Sequence, residues 1–183
     1  MASLRQYGGI AGFPKPGESI HDAFVKRFAE RANAMTIGNP LDNPDMGPLV
    51  SEGQLRDVLG YVKKGIEEGA TLVCGGERYT EGECAKGYFM RPTIFDNCTP
   101  DMTIVREEIF GPVVTIQTFQ TEEEAIALAN DTIYGLAGGV FTHQLERALR
   151  VVKEVRAGIT WVNAFNPTYN EAPWGGYKMS GIG

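Results

Sequence analysis

Residues 107–112 read Glu-Glu-Ile-Phe-Gly-Pro, which sets two carboxylates and a ring directly before a dipeptide that forces a turn. A turn of this kind, just ahead of a strand, presents a ring and a carboxylate to a ligand. The carboxylate of Glu108 could accept hydrogen bonds from two vicinal hydroxyls, as on a ribose. The competing reading is a solvated Glu pair followed by a core Phe110, since acids are mostly exposed. A second stretch, residues 158–178, reads as a short strand that runs into a polar, aromatic, proline-bearing loop, a usual place for ligand contacts. It carries Asn163, Phe165, Tyr169 and Trp174, with Gly175-Gly176 permitting a tight backbone and Trp161 expected in the core.

Other reactive groups have less support. Cys74, Cys84 and Cys98 lack paired spacing and nearby histidines, so they are expected to be reduced thiols rather than zinc ligands. None has a helix-start context or a histidine to lower its pKa, which argues against any of them as a nucleophile. Residues 12–19 have the outer glycine spacing of a phosphate loop, but Glu18 stands where the lysine must be, and Pro14 and Pro16 remove amide donors. His21 and His143 are far apart, each near a predicted helix start, which fits exposed helix ends better than metal ligation.

The elements that must position these groups follow from local pattern. Residues 1–18, with Gly8-Gly9, Gly12, Pro14, Pro16 and Gly17, read as a loop or loosely attached leader. From Ser19 an amphipathic helix is expected, with Ile20, Phe24, Phe28 and Ala32 on one face packing on a sheet. A second helix over 52–68 opens with the capping pattern Ser51-x-x-Gln54, is striped by Leu55, Val58, Leu59, Val62 and Ile66, and stops at Gly69. Strands are expected over 71–74, 88–95 and 113–119, then a helix opened by Thr121-x-x-Glu124. Strand, helix and strand follow over 137–142, 144–155 and 158–162, and Asn130-Asp131-Thr132 reads as a structural turn. This alternation argues for an α/β fold, three-layered, with helices flanking a largely parallel sheet, and for one domain over 19–183.

Composition bounds the partners. With 43% hydrophobic and 22% charged residues over 183 positions, the chain has the make-up of a packed domain. A net charge of −6 without a basic stripe argues against a nucleic-acid partner. No apolar run approaches the roughly 20 residues that span a bilayer, so no membrane partner and a cytoplasmic location are expected.

The segment at 104–112 and the Glu-Ala-Pro-Trp-Gly-Gly-Tyr-Lys run at 171–178 together resemble the aldehyde dehydrogenase family over about residues 19–183. The resemblance implies part of that family's catalytic domain and an NAD or NADP cofactor. It implies that Glu108 holds the nicotinamide ribose and that Phe110 borders the nicotinamide. It also makes Trp174 an aromatic residue of the substrate tunnel. The Ala-Pro-Trp-Gly-Gly form resembles the betaine aldehyde branch, and an indole face suits a quaternary ammonium, a desolvated pairing worth roughly 2 kcal/mol. A plain apolar wall at Trp174 is the alternative.

The family oxidises an aldehyde to its acid through a cysteine thiohemiacetal and thioester. Its nucleophile lies in a Gly-Gln-x-Cys context shortly before the helix near Ser19, and residues 9–17 hold no cysteine. The expectation is therefore a chain inactive alone, with an aldehyde as substrate of the parent enzyme. The second expectation is a non-catalytic module that self-associates or docks a partner through surface left uncovered.

Overall fold

The computed structural model describes residues 2–5, 9–12 and 20–183. They form two compact units, residues 22–116 and a second made of 117–183 with the residues before position 22. The phosphate-loop candidate at 12–19 lies outside the described residues beyond Gly12. Strands β1 (Ala2–Arg5) and β2 (Gly9–Gly12) pair antiparallel, with Ser3 opposite Ala11, inside the stretch expected to be a loop. Glycine disfavours a strand without forbidding it, and backbone pairing needs no side chain.

In the 22–116 unit, helix α1 (Ile20–Asn33) buries Ala32 and sets the rings of Phe24 and Phe28 5.6 Å apart. Helix α2 (Glu52–Glu67) begins where Ser51 Oγ accepts from the Gln54 amide at 3.1 Å and stops at Gly69, φ +95°. Leu55, Val58 and Val62 are buried as the stripe requires, whereas Ile66 is 50% exposed. The last inward position is Gly65, where a β-carbon would stand 2.8 Å from Ile104 Cδ1. The helix therefore sits directly on Ile104, with no side chain between them.

Strand β3 (Thr71–Cys74) pairs antiparallel with β4 (Thr93–Asp96), and β4 pairs parallel with β5 (Val113–Thr118). The strand expected over 88–95 starts only at Thr93. Pro92 has no amide to give the ladder, and upstream of it Met90 makes a separate bridge with Arg78. A single turn, α3 (Thr103–Arg106), precedes the Glu107-Glu108 pair. The Glu68 carboxylate caps it, accepting from the Thr103 amide at 2.7 Å and the Thr103 hydroxyl at 2.6 Å. Leu55, Val58, Phe95, Ile104 and Val113 form the centre of this unit's core.

In the second unit, α4 (Glu122–Asn130) is opened by Thr121, whose Oγ1 accepts from the Glu124 amide at 3.1 Å. Glu124 Oε2 reaches back to the Gln120 amide at 2.6 Å, one residue before the cap. After the short strand β6 (Tyr134–Gly135) comes β7 (Ala137–Phe141), antiparallel to β1. Helix α5 (Leu145–Glu154) then crosses over to β8 (Ile159–Val162), which lies parallel to β7 with Gly139 opposite Trp161. Val140, Ala148 and Val151 pack between helix and sheet. Strand β9 (Tyr177–Lys178) closes on β6, antiparallel.

The fold is mixed α/β, and its strand pairing corrects the expectation of a largely parallel sheet. Among the described pairs, β4–β5 and β7–β8 are parallel, while β1–β2, β1–β7, β3–β4 and β6–β9 are antiparallel. A parallel link needs a crossover, which α5 supplies for β7–β8. The irregular chain between β3 and β4 contains no α-helix, and those strands run antiparallel. Among the described residues, no helix is long and apolar enough to cross a membrane.

Candidate functional site

The loop at 107–111 is held from one side by α2. Tyr61 donates its hydroxyl proton to Glu107 Oε2 at 2.7 Å, so the first acid of the pair is engaged. No side-chain hydrogen bond or ion pair among the described residues engages the carboxylate of Glu108, which is half-buried. At the loop's far end, Gln54 Nε2 donates to the Phe110 carbonyl at 3.0 Å and approaches the Ile109 carbonyl at 3.4 Å. Both acceptors are carbonyls, so the amide must turn its nitrogen toward them. Phe110 has φ +54°, a left-handed conformation that costs a non-glycine residue about 1 kcal/mol or more. Phe110 is 64% exposed, which sets aside its reading as a core residue.

Gly111 is required for a different reason from the turn the sequence suggested. A β-carbon there would stand 2.6 Å from Val58 Cγ2, and Val58 is completely buried. The loop backbone thus rests on α2 with nothing between. Gln54, Val58 and Tyr61 are spaced i, i+4 and i+7, so one stripe of the helix meets the whole loop. Sequence reasoning took Gln54 as half of a capping box and missed this use of its side chain. The Ser51 half of the box is present, while the Gln54 amide group turns to the loop.

In the second unit the four candidates differ in how they are engaged. Asn163 stands at the end of β8 with φ +52°; its Oδ1 accepts from the Thr142 amide at 2.8 Å and its Nδ2 donates to the Thr142 carbonyl at 3.0 Å. Through these two bonds its amide ties β8 to the end of β7. Phe165 is partly buried, with its ring centroid 5.0 Å from that of Trp161. Trp161 is buried as expected and donates Nε1 to the Pro167 carbonyl at 3.0 Å, which pins the loop after β8. Tyr169 is 67% exposed and Trp174 46% exposed.

The Trp174 loop is anchored on its C-terminal side. A β-carbon on Gly175 would lie 2.6 Å from the Ile182 carbonyl oxygen, and one on Gly176 would lie 2.8 Å from Ser180 Cβ. Two consecutive glycines let the loop pass under the final turn. Lys178 Nζ donates to the carbonyls of Asn130 at 2.9 Å and Thr132 at 3.0 Å, a cation at the C-terminus of α4. Asn130 itself ties α4 to α5, donating to the Glu154 carbonyl at 2.8 Å and accepting from the Arg156 amide at 2.7 Å. The turn at 130–132 is thus structural, as its sequence indicated.

The thiols have buried or desolvated settings. Burial pushes Cys98 up to about 12 and also raises Cys74, while Cys84 is buried beside the Ile37 carbonyl. Among the described residues, no group of His, Cys, Asp and Glu could hold a metal ion. His21 lies in the first turn of α1, and His143 is exposed two residues before α5.

Among the described residues, then, a half-buried carboxylate that no side chain engages stands two positions from an exposed ring on a turn. The chain belongs to the aldehyde dehydrogenase family, whose model matches residues 17–183. It is similar to the betaine aldehyde dehydrogenase of Bacillus subtilis, 49% identical over 91% of this chain and 34% of that protein. The betaine aldehyde dehydrogenase of Brucella anthropi is 52% identical over the same shares of the two chains, 91% and 34%. Among solved structures, betaine aldehyde dehydrogenase from Staphylococcus aureus in complex with NAD+ matches with TM-score 0.87 and 44% identity, covering 90% of this chain and 33% of that one. An aldehyde dehydrogenase from Bacillus cereus matches with TM-score 0.84 and 45% identity, over 88% and 32%. The chain spans about a third of the length of the curated relatives it matches.

Proposed function

We propose that these residues supply one wall of the nicotinamide cofactor site and the aromatic part of the substrate site in an NAD(P)-dependent betaine aldehyde dehydrogenase. The observation that carries this reading is the division of labour at 107–110. Glu107 is bound by Tyr61, Glu108 has a carboxylate that no side chain among the described residues engages, and Phe110 is exposed on a clamped backbone. Glu108 would accept the two hydroxyls of the nicotinamide ribose, and Phe110 would lie against the nicotinamide ring. The cofactor, when bound, takes up a hydride from the substrate. This chain's part is to orient it and to keep its ring in place.

On the substrate side, Trp174 would offer its indole face to a quaternary ammonium, with Phe165 and Tyr169 extending the aromatic surface. Asn163 would fix the strand end from which this loop departs through its two hydrogen bonds with Thr142, beside the substrate. The cysteine nucleophile of the covalent route would come from sequence beyond these 183 residues, since Cys74, Cys84 and Cys98 are buried or desolvated.

The test uses a full-length enzyme carrying this segment. NADH formation is followed with betaine aldehyde and with an uncharged aldehyde of similar size, in the parent and in Trp174→Ala. The reading expects kcat/KM for betaine aldehyde to fall about tenfold or more relative to the uncharged aldehyde, the scale of a desolvated cation–π pairing. An unchanged ratio would make Trp174 an apolar wall only.

A further inference from the structure

We infer that Gln54 is a positioning residue for the cofactor, acting through the backbone of Phe110. This rests on the reading of Phe110 as a neighbour of the nicotinamide.

The argument starts from the cost of the conformation. At φ +54° Phe110 is in a region that an aromatic residue leaves readily unless its surroundings hold it. One direct hold is the Gln54 amide, which donates to the Phe110 carbonyl at 3.0 Å and lies 3.4 Å from the Ile109 carbonyl. A single donor group thus meets the two peptide carbonyls that flank the ring's own backbone. Rotation of Phe110 toward the ordinary right-handed or extended region would swing its carbonyl away and break this contact.

The base from which Gln54 reaches is rigid. It lies in the first turn of α2, where its own amide is bound to Ser51 Oγ, and the neighbouring Leu55 and Val58 are core residues. Val58 also supports Gly111, and Tyr61 holds Glu107 at the other end of the loop. The segment from 107 to 111 is therefore fixed on both sides of Glu108 and Phe110, while Glu108 stays half-buried and Phe110 exposed. Holding the ring in place before the cofactor arrives lowers the ordering cost of binding, so the clamp acts on affinity.

The test is a double-mutant cycle in a full-length enzyme carrying this segment, with Gln54→Met, Phe110→Ala and the double variant. Methionine keeps the side-chain length and removes the donor; Gln54→Leu serves where Met disturbs folding. Gln54→Met is expected to raise KM for NAD about tenfold, the size of one good hydrogen bond, with KM for the aldehyde unchanged and the melting temperature close to the parent's. Phe110→Ala is expected to raise it at least as much, and the double variant to match Phe110→Ala alone, because Gln54 has nothing left to position. If Phe110→Ala raises KM for NAD and Gln54→Met leaves it at the parent value, the positioning role is overturned while the cofactor wall stands. If Phe110→Ala has no effect on NAD, the cofactor wall fails and the inference falls with it. Additive effects in the double variant also overturn the inference, since Gln54 would then act by another route.

Discussion

A β-carbon placed on Gly158 would stand 1.8 Å from the carbonyl oxygen of Gly175, so the start of β8 and the loop that carries Trp174 cross backbone to backbone. No side chain fits between them, and neither neighbour is the yielding end of a flexible side chain. This crossing fixes where the indole begins its reach.

The first prediction is that Gly158→Ala destabilises the protein by about 2 kcal/mol or more, because an overpacked contact against backbone cannot relax by a rotamer change. The loop must move away, so kcat/KM for the aldehyde should fall as well. Thermal melting and steady-state rates on the full-length enzyme check both parts. A variant with parent-like melting and rates would show that the crossing yields at little cost.

A second prediction concerns acid. The Glu122 carboxylate accepts from Arg147 Nε at 3.0 Å and from Arg150 Nε at 3.0 Å and Nη2 at 3.1 Å, joining α4 to α5. Hydrogen bonding to Arg150, then its charge and those of Arg147, hold this carboxyl below its ordinary value of 4.5. A lowered folded-state pKa stabilises fully above the unfolded value and loses that contribution as pH falls through the folded one. Glu122→Gln should therefore cost about 1 kcal/mol near neutral pH, discounted because Arg150 is half exposed. The gap between the two melting curves should close as pH falls below 4.5. A gap that stays constant down to strongly acid pH would mean that the ion pair contributes nothing.

The third prediction follows from the thiols. Cys98 has its thiol pushed up to about 12 by burial, Cys74 is also raised, and Cys84 is buried. Native protein at neutral pH should react slowly with a thiol reagent at Cys74 and hardly at all at Cys84 and Cys98, with all three reacting after unfolding. The 183-residue chain alone should form no NADH from betaine aldehyde. Rapid native labelling together with NADH formation would point to a nucleophile among these three.

How much of this was legible in the residues differs by element. The starts of α2 and α4 could be read because capping is local: Ser51 and Thr121 meet amides three positions on. The end of α2 at Gly69 is local for the same reason. The strand expected over 88–95 failed at Pro92, and Ile66 turned outward because Gly65 lets the helix settle on Ile104. Those outcomes depend on what lies across the core. Strand direction was equally out of reach, since periodicity is the same for parallel and antiparallel partners.

The candidate site shows the same split. Glu108, Phe110 and Trp174 stood out through unusual local runs, and the structure exposes the last two while leaving Glu108 without a protein partner among the described residues. Gln54 gave no such signal, because its contact with Phe110 joins positions 56 residues apart and its spacing from Ser51 already had a local explanation. Asn163 was read as a ligand contact, and the structure shows its amide bonded to the Thr142 backbone. Sequence spacing does not reveal where a side chain is already committed.

The most direct measurement compares the two acids of the 107–108 pair. In a full-length enzyme carrying this segment, KM for NAD is measured in Glu107→Gln and Glu108→Gln. Glu107 is bound by Tyr61 and Glu108 is engaged by no side chain among the described residues, so Glu108→Gln should raise KM for NAD about tenfold, while Glu107→Gln should change it less than about threefold. Equal effects, or a larger effect at Glu107, would contradict the assignment of Glu108 as the ribose ligand and with it the proposed cofactor wall.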